Sequence, residues 1–326
     1  MTVGDFNGIG PEVALKAAFS PAIARICSPA LIGPFGAFEY WRKRLSLGGR
    51  IHPANREPDG ASVPVLDYPR QGRLRIKPGA PSPESGFAAL QALEAAVVLA
   101  QTGVLDAVVT APLSKHGLHL TGVRFPGQTE LLRHLTRSRH VGMMLVSDTL
   151  KVGLVTIHLP LRQVAGHVTR RNVESAASLL HASLRADFGV RHPRIAVLAL
   201  NPHAGEEGDL GDEERRVIEP AVRSLRSRGL NLEGPFPADA FFGTGARGNY
   251  HAVLAMYHDQ GLIPLKMGSF GGAVNFSAGL PIVRTSPDHG TAYDIAGSGR
   301  ADPSSMRAAV RLACRIALRR KGSTRR

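Results

Sequence analysis

A chain of 326 residues with 43% hydrophobic and 20% charged residues has a globular composition, long enough for two domains or one large α/β unit. Its formal net charge of +14 would suit a nucleic-acid binder, but arginine is scattered along the chain and the 6% of aromatic residues do not interleave with it. No apolar run approaches the roughly 20 residues of a membrane helix, so the composition argues against both nucleic acid and membrane as partners.

In chain order, the start MTVGDFNGIGPE lacks the basic and apolar regions of a signal peptide, and a cytoplasmic protein is expected. PEVALKAAF, after GIG, predicts a helix with Pro11 in its first turn, where the missing N–H is tolerated. Cys27 and Cys314 lie far apart without a CxxC, which argues against a disulfide framework or a thiolate zinc site. Residues 46–83, rich in Gly, Pro and Arg, are expected to be irregular. SPESGFAALQALEAAVVLAQTG predicts a capped helix ending near Gly103, followed by the strand LDAVVT. That strand runs into a turn carrying Thr110, Ser114 and Lys115, side chains suited to an anion, although Lys115 can also be read as an ordinary surface lysine. Gln128 and Thr129, in FPGQTELL, mark a helix start, where backbone N–H groups attract anions.

The strands LKVGLVTI, RIAVLAL and YHAVLAMY alternate with helical segments TRRNVESAASLLHASLRADFG, GDEERRVIEPAVRSLRSRG and DPSSMRAAVRLACRIALRR. This is the pattern of βα units with a mostly parallel sheet. Each of the three strands delivers a histidine at or just past its carboxyl end: His158, His203 and His258. Ligands of open α/β sheets bind at that edge, and three neutral imidazoles there suit a shared metal. The alternative is that each caps a strand or bonds a loop carbonyl. His134, His140, His167, His181 and His192 read as solvated or structural. After His258, YHDQGLIPLK brings Asp259 and Gln260, expected to shape the loop, and Lys266; with Asn275 and Arg284 that lysine could complete an anion clamp. Asp239, in GPFPADAFF, reads as a turn residue. GTGARG matches GxGxxG but precedes a strand instead of opening a helix, so it is expected to be a loop. No GxxxxGK[ST], GxSxG or HExxH is present. The tail RRKGSTRR reads as a solvated end.

Taken together, GDFNGIGPE, TAPLSK, GQTELL, TIHLPLR, LNPHAGEEGDLGDEE, GPFPADAFF, YHDQGLIPLK and VNFSAGLPIVRTSPDHGTAYDIAG resemble the 4-hydroxythreonine-4-phosphate dehydrogenases of pyridoxal-phosphate biosynthesis, in order from Gly4 to about Pro303. HGTAYDIAG is also similar to the adenosine-binding loop of isocitrate and isopropylmalate dehydrogenases, which lack the Gly-rich fingerprint. The resemblance implies a two-lobed α/β subunit of that fold, with mostly parallel sheets and the active site in the cleft between lobes. The expected lobes are 1–120 with 293–326, and 121–292 carrying the metal and substrate residues. It implies a homodimer with a shared active site, a small anionic, phosphorylated substrate, and NAD or NADP as cofactor. By position, His158, His203 and His258 match the divalent-metal ligands, with zinc expected and magnesium or cobalt as alternatives. Lys266, Asn275, Arg284 and Thr129 match substrate positions, and Lys115 joins them on its own chemistry. Asp239 and Lys266 are the candidate proton acceptors. His289, Gly290, Thr291, Ala292 and Asp294 fall in the cofactor loop.

The implied reaction is NAD-dependent oxidation and decarboxylation of 4-phosphohydroxy-L-threonine to 3-amino-2-oxopropyl phosphate. Relatives act on 4-phospho-D-threonate, 4-phosphoerythronate or non-phosphorylated diol acids. The chain departs from the pattern at Gln128, where a histidine is usual, and at Phe6, where proline is usual; its first strand is short. Two readings from other classes remain: a metal-dependent hydrolase or lyase without NAD, against which the adenosine-like loop speaks, and a non-catalytic binding protein.

Overall fold

The computed structural model describes residues 1–324 apart from 59, 70, 71, 73, 126 and 270. Strands among them are β1 Leu31–Ile32, β2 Ile51–Pro53, β3 Val63–Leu66, β4 Val108–Val109, β5 Gly142–Val146, β6 Lys151–Leu154, β7 Arg194–Leu198, β8 Asn231–Phe236, β9 Ala252–Ala255, β10 Val274–Ala278 and β11 Arg284–Pro287. The chain divides into two compact units: Met1–Arg139 with Leu280–Leu318, and His140–Gly279 with the tail from Arg319. The expected boundaries at 120/121 and 292/293 therefore shift, and the helix Gln128–Thr136 and β11 go to the first unit. Hydrogen bonding explains the shift. β11 pairs in parallel with β4 (Arg284 with Val108), and the side chain of Arg284 bonds Thr110.

In the first unit β1, β3 and β2 form a parallel sheet, Leu31 against Val65 and Ile51 against Val63. Helix Gly10–Ala18 is buried along nearly all its length, as its run of Val, Ala and Leu predicts. Helix Pro83–Gln101 starts at a capping box in which Ser82 accepts from Ser85 N and Ser85 Oγ accepts from Ser82 N, each at 3.1 Å. It buries Ala89, Ala92, Leu93, Ala96 and Val97, one face of a 3.6-residue period. At Gly86 a Cβ would sit 2.1 Å from Gly117 O, so glycine sets the close approach of this helix to Lys115–Leu120.

The second unit carries the order β10-β5-β6-β9-β7-β8. β5 is antiparallel to both β10 and β6, whereas β6, β9, β7 and β8 run parallel. Parallel strands are covered on both faces and read as continuous apolar runs; Val253, Leu254 and Ala255 of β9 are accordingly buried. Their core joins Met143, Leu145, Val152, Leu154, Ala196, Leu198, Leu262 and Leu265.

Several elements differ from expectation. Residues 46–83 hold β2 and β3, short strands hidden by surrounding Gly and Pro. HDQGLIPLK is helical, within His258–Ser269, and is not the loop expected; Leu262 and Leu265 face the core while Ile263 is exposed. Asp239 lies in the first turn of helix Ala238–Gly243, not in a free turn. GTGARG opens no long helix, but it is not a plain loop: Gly243 ends helix Ala238–Gly243, Gly245 is left-handed, and Ala246 starts the 3-10 turn Ala246–Asn249 ahead of β9. The basic tail continues helix Ser304–Thr324; Arg325 and Arg326 lie outside the described residues. Cys27 and Cys314 are free thiols, and Cys27 Sγ donates to Ile23 O at 3.7 Å. No helix of the described residues is long and apolar enough to cross a membrane.

Candidate active site

Three clusters can be built from the sequence-predicted residues, one in the second unit and two in the first. In the second, His158, His203 and His258 follow the carboxyl ends of β6, β7 and β9, and these are parallel neighbours in the order β6-β9-β7. Strand pairing thus gathers at one sheet edge residues that are far apart in sequence. The rings of His158 and His258 have centroids 5.8 Å apart. Asp259 Oδ1 lies 2.7 Å from His258 Nδ1. With Nδ1–H donating to the carboxylate, Nε2 keeps the lone pair a metal requires. Asp259 therefore orients the imidazole, more than the loop-shaping role expected of it. Gln260 does shape the edge, accepting from Met256 N at 2.7 Å and donating to Ala199 O at 2.6 Å, which ties the ends of β9 and β7.

His203 is held differently. It opens a run, His203 to Glu207, in which every residue is left-handed, with φ from 44° to 85°. Only Gly205 of the five is glycine, and each of the others costs about 1–2 kcal/mol there, so the surroundings must over-determine the turn. They do so through Glu214, 3% exposed, whose Oε1 accepts from Leu200 N and Asn201 N at 2.7 and 2.8 Å. Asn201 Nδ2 in turn donates to Glu213 and Glu214 at 2.7 and 2.9 Å. The His203 side chain is 70% exposed. Among the described residues no group of three or more His, Cys, Asp or Glu closes into a metal-holding set within one chain. The donor chemistry of the His158–His258 pair fits a divalent cation; the third ligand does not close on them in the single chain. Lys266 and Asp239 are exposed. Asn275, on β10 opposite Leu145, has a buried Oδ1 without a hydrogen-bond partner, an acceptor suited to a ligand's donor.

In the first unit the centre is Arg284, 1% exposed. Its Nε and Nη2 donate to Thr110 Oγ1 at 3.0 and 2.6 Å, and Nη2 also to Gln128 Oε1. Thr110 Oγ1 in turn donates to Gln128 Oε1 at 2.8 Å. Burial pushes the guanidinium down to about 9, the direction expected of a cation out of water. Gln128 opens helix Gln128–Thr136 behind the extended Gly127, and Thr129 follows on its first turn, where unbonded N–H groups favour an anion. Lys115 is exposed at the start of its own helix, which Ser114 caps by accepting from Gly117 N at 3.0 Å.

The loop from His289 to Ala301 forms the other cluster of the first unit. His289 Nδ1 contacts Gly290 O at 3.1 Å, while its Nε2 is buried without a partner. A Cβ on Gly290 would meet nothing within 4 Å, so the backbone is open there. Ala292 is left-handed at φ 41°, and Asp294 is exposed. An unpaired ring nitrogen beside open backbone fits a nucleotide's polar edge.

The whole chain can be compared with known proteins on this footing. Residues 25–313 match the family model described as pyridoxal phosphate biosynthetic protein PdxA. The chain belongs to the PdxA family. It is 45% identical to a 4-hydroxythreonine-4-phosphate dehydrogenase of Methylorubrum extorquens, covering 98% of this chain and 94% of that one. A solved 4-hydroxythreonine-4-phosphate dehydrogenase from Klebsiella pneumoniae superposes with a TM-score of 0.87 at 39% identity, over 97% of this chain and 98% of that one. A D-threonate 4-phosphate dehydrogenase of Pectobacterium atrosepticum is 38% identical over 97% of this chain and 98% of its own. PdxA membership fits the α/β fold and makes the chain a dehydrogenase acting on a hydroxyl group.

Within that family frame, reasoning from sequence missed Asp5, Glu12, Lys16 and Tyr293, whose side chains support the 289–301 loop. Only the i, i+4 spacing of Glu12 and Lys16 signalled any of this.

Proposed function

We propose that this PdxA-family dehydrogenase oxidises 4-phosphohydroxy-L-threonine at its C3 hydroxyl with NAD or NADP, the resulting 3-keto acid losing CO2 to give 3-amino-2-oxopropyl phosphate. The observation that carries the proposal is the placement of His158, His203 and His258 beyond three adjacent parallel strands. These histidines would hold a divalent cation, zinc by their nitrogen donors. When bound, the cation supplies Lewis-acid polarisation of the substrate's oxygen atoms, and the dinucleotide accepts the hydride.

The chain's own residues do the rest. Asp259 fixes the tautomer of His258. Asp239 or Lys266 takes the hydroxyl proton, both side chains being exposed. Arg284, aimed by Thr110, holds an anionic end of the substrate with Thr129 and Lys115. Asn275 Oδ1 accepts from a substrate donor. A second copy of the chain would complete the metal site, which accounts for the exposure of His203 and for the ligand set that stays open in one chain.

Gln128 supports a second reading. Its amide cannot carry charge, and a relative named for D-threonate 4-phosphate is nearly as similar as those named for 4-hydroxythreonine 4-phosphate. The test is reduced-dinucleotide absorbance with 4-phosphohydroxy-L-threonine and 4-phospho-D-threonate in parallel, with NAD and NADP, with and without chelator. Chelator-sensitive turnover of the first substrate supports the main proposal, turnover of the second alone favours the other, and turnover of neither removes both.

A further inference from the structure

We infer that a hydrogen bond from Tyr293 to the buried carboxylate of Asp5 is a positioning latch for the 289–301 loop, holding that loop in the shape that receives the dinucleotide. The inference rests on the proposed reading of this loop as the dinucleotide site.

Tyr293 Oη donates to Asp5 Oδ2 at 2.6 Å, a short bond to a carboxylate 0% exposed. The other oxygen of Asp5 accepts from Asn7 N at 2.9 Å, so the carboxylate is itself fixed by its own turn. Burial pushes Asp5 above the usual carboxylate range and the Tyr293 hydroxyl pulls it back, as a bond to the charged form does. The backbone of this first-loop segment reaches the same target, since Ile9 N donates to Thr291 O at 3.0 Å. At Gly8 a Cβ would stand 2.7 Å from that same carbonyl. The approach therefore excludes any side chain at Gly8.

The far end of the loop is clamped separately. Lys16 Nζ spends its donors on Glu12 Oε1 at 2.7 Å and on the carbonyls of Gly299 and Ala301 at 2.8 Å each. Glu12 Oε1 also accepts from Ala301 N at 3.1 Å. Ala292, in the left-handed region, lies between the Thr291 contact and this clamp, and His289, with its unpartnered Nε2, stands just before Thr291. A loop that holds an unfavourable φ and an unsatisfied nitrogen needs outside support to keep its shape before ligand arrives. Tyr293 supplies this in mid-loop, between the two ends. It is a positioning residue, because its hydroxyl is consumed by Asp5 and not offered to ligand.

The experiment uses the full-length chain and compares wild type with Tyr293→Phe, which deletes only the hydroxyl, and with Asp5→Asn, which keeps an acceptor. Amide hydrogen exchange of peptides covering 289–301 is measured without ligand, and NAD binding by calorimetry. Tyr293→Phe is expected to speed exchange in 289–301 about ten-fold, with the rest of the chain unchanged, and to weaken NAD about ten-fold, the weight of one charge-assisted hydrogen bond. KM for NAD should follow the Kd while kcat stays within about two-fold. Asp5→Asn should fall between the two. Unchanged exchange and unchanged NAD affinity in Tyr293→Phe would overturn the latch. Faster exchange in the variant beside a wild type that binds no NAD would keep the latch and sink the dinucleotide reading.

Discussion

The corner around Arg284 and the edge that carries the histidines are built on opposite plans. At the corner, a guanidinium 1% exposed meets two neutral oxygen acceptors and a helix start, and the arrangement is finished within one chain. At the edge, the His203 side chain is 70% exposed, that of His258 is 36% exposed, and no set of metal ligands closes among the described residues. Burial makes the corner's charge scarce in hydration and so selective for an anion. Exposure leaves the edge able to take its geometry from what binds there. On the proposed function, the difference would separate recognition, which is built in advance, from chemistry, which waits for partners.

The largest effect should come from breaking the edge. His258→Ala removes one of the two rings that stand together, and bound zinc measured by elemental analysis should fall to background. Loss of Lewis-acid stabilisation, worth several kcal/mol, should lower kcat about a thousand-fold. Because the side chain is not buried in the core, the melting temperature should move by no more than about 2 °C. Retained zinc with retained turnover would remove the histidines from the chemistry.

Breaking the corner should cost less in rate and act on binding. Arg284→Met is expected to lower kcat/KM for the phosphorylated substrate about a hundred-fold, the loss of one or two charged hydrogen bonds. Arg284→Lys should not restore it, because an ammonium cannot hold Thr110 and Gln128 with the same fork. Stability should change little, since removing a buried charge also removes its desolvation penalty. The corner's pH dependence follows from the direction of the shift. Burial lowers the guanidinium to about 9, so anion binding is fully present below that value and weakens as pH rises through it. KM for the phosphorylated substrate, followed from neutral pH to about pH 10, should rise at the upper end in wild type and stay flat in Arg284→Met.

How much of this contrast could be read from sequence depends on how local its causes are. The histidine edge was legible because each histidine follows an apolar run, and the parallel order β6-β9-β7 does the rest. The helix start at Gln128 was legible from the Gly-Gln-Thr-Glu stretch. The joining of Thr110, Gln128 and Arg284 was not, because it depends on β11 pairing with β4 across some 175 residues, and no periodicity encodes that partner. The same pairing moved the unit boundary. The left-handed run from His203 was also hidden, since four of its five residues have no intrinsic preference for that conformation and distant groups such as Glu214 and Arg215 support it.

A smaller change sharpens the corner without dismantling it. Gln128→Glu places a carboxylate where a neutral carbonyl now accepts from Arg284, so the positive charge is answered internally. KM for the phosphorylated substrate should rise about ten-fold with kcat nearly unchanged. Gln128→His keeps a neutral acceptor at neutral pH and should stay within about three-fold of wild type for one of the two candidate substrates. If Gln128→Glu leaves KM unchanged, the corner does not read charge and its role is structural.

The smallest effect belongs to a site outside both regions, and it serves as the control for them. Cys27 and Cys314 were expected to form neither a disulfide framework nor a thiolate zinc site, and both are free thiols, yet each shifts the other's titration. Cys314 bonding to Cys27 draws the latter's pKa down to about 7, while Cys314 itself is pushed well above the usual thiol range. A thiolate is the reactive form, so Cys27 should alkylate with iodoacetamide along a curve with its midpoint near pH 7, while Cys314 lags far behind at the same pH. Peptide mass spectrometry after brief labelling at pH 6, 7 and 8 reads both sites at once. Since neither thiol touches Arg284, Gln128 or the histidines, labelling Cys27 should change KM and kcat by less than about two-fold. A large loss of turnover on labelling would mean that helix Ser304–Thr324, which carries Cys314, transmits strain to the anion corner through its bond from Thr285 Oγ1 to Ala309 O, 2.9 Å, beside Arg284.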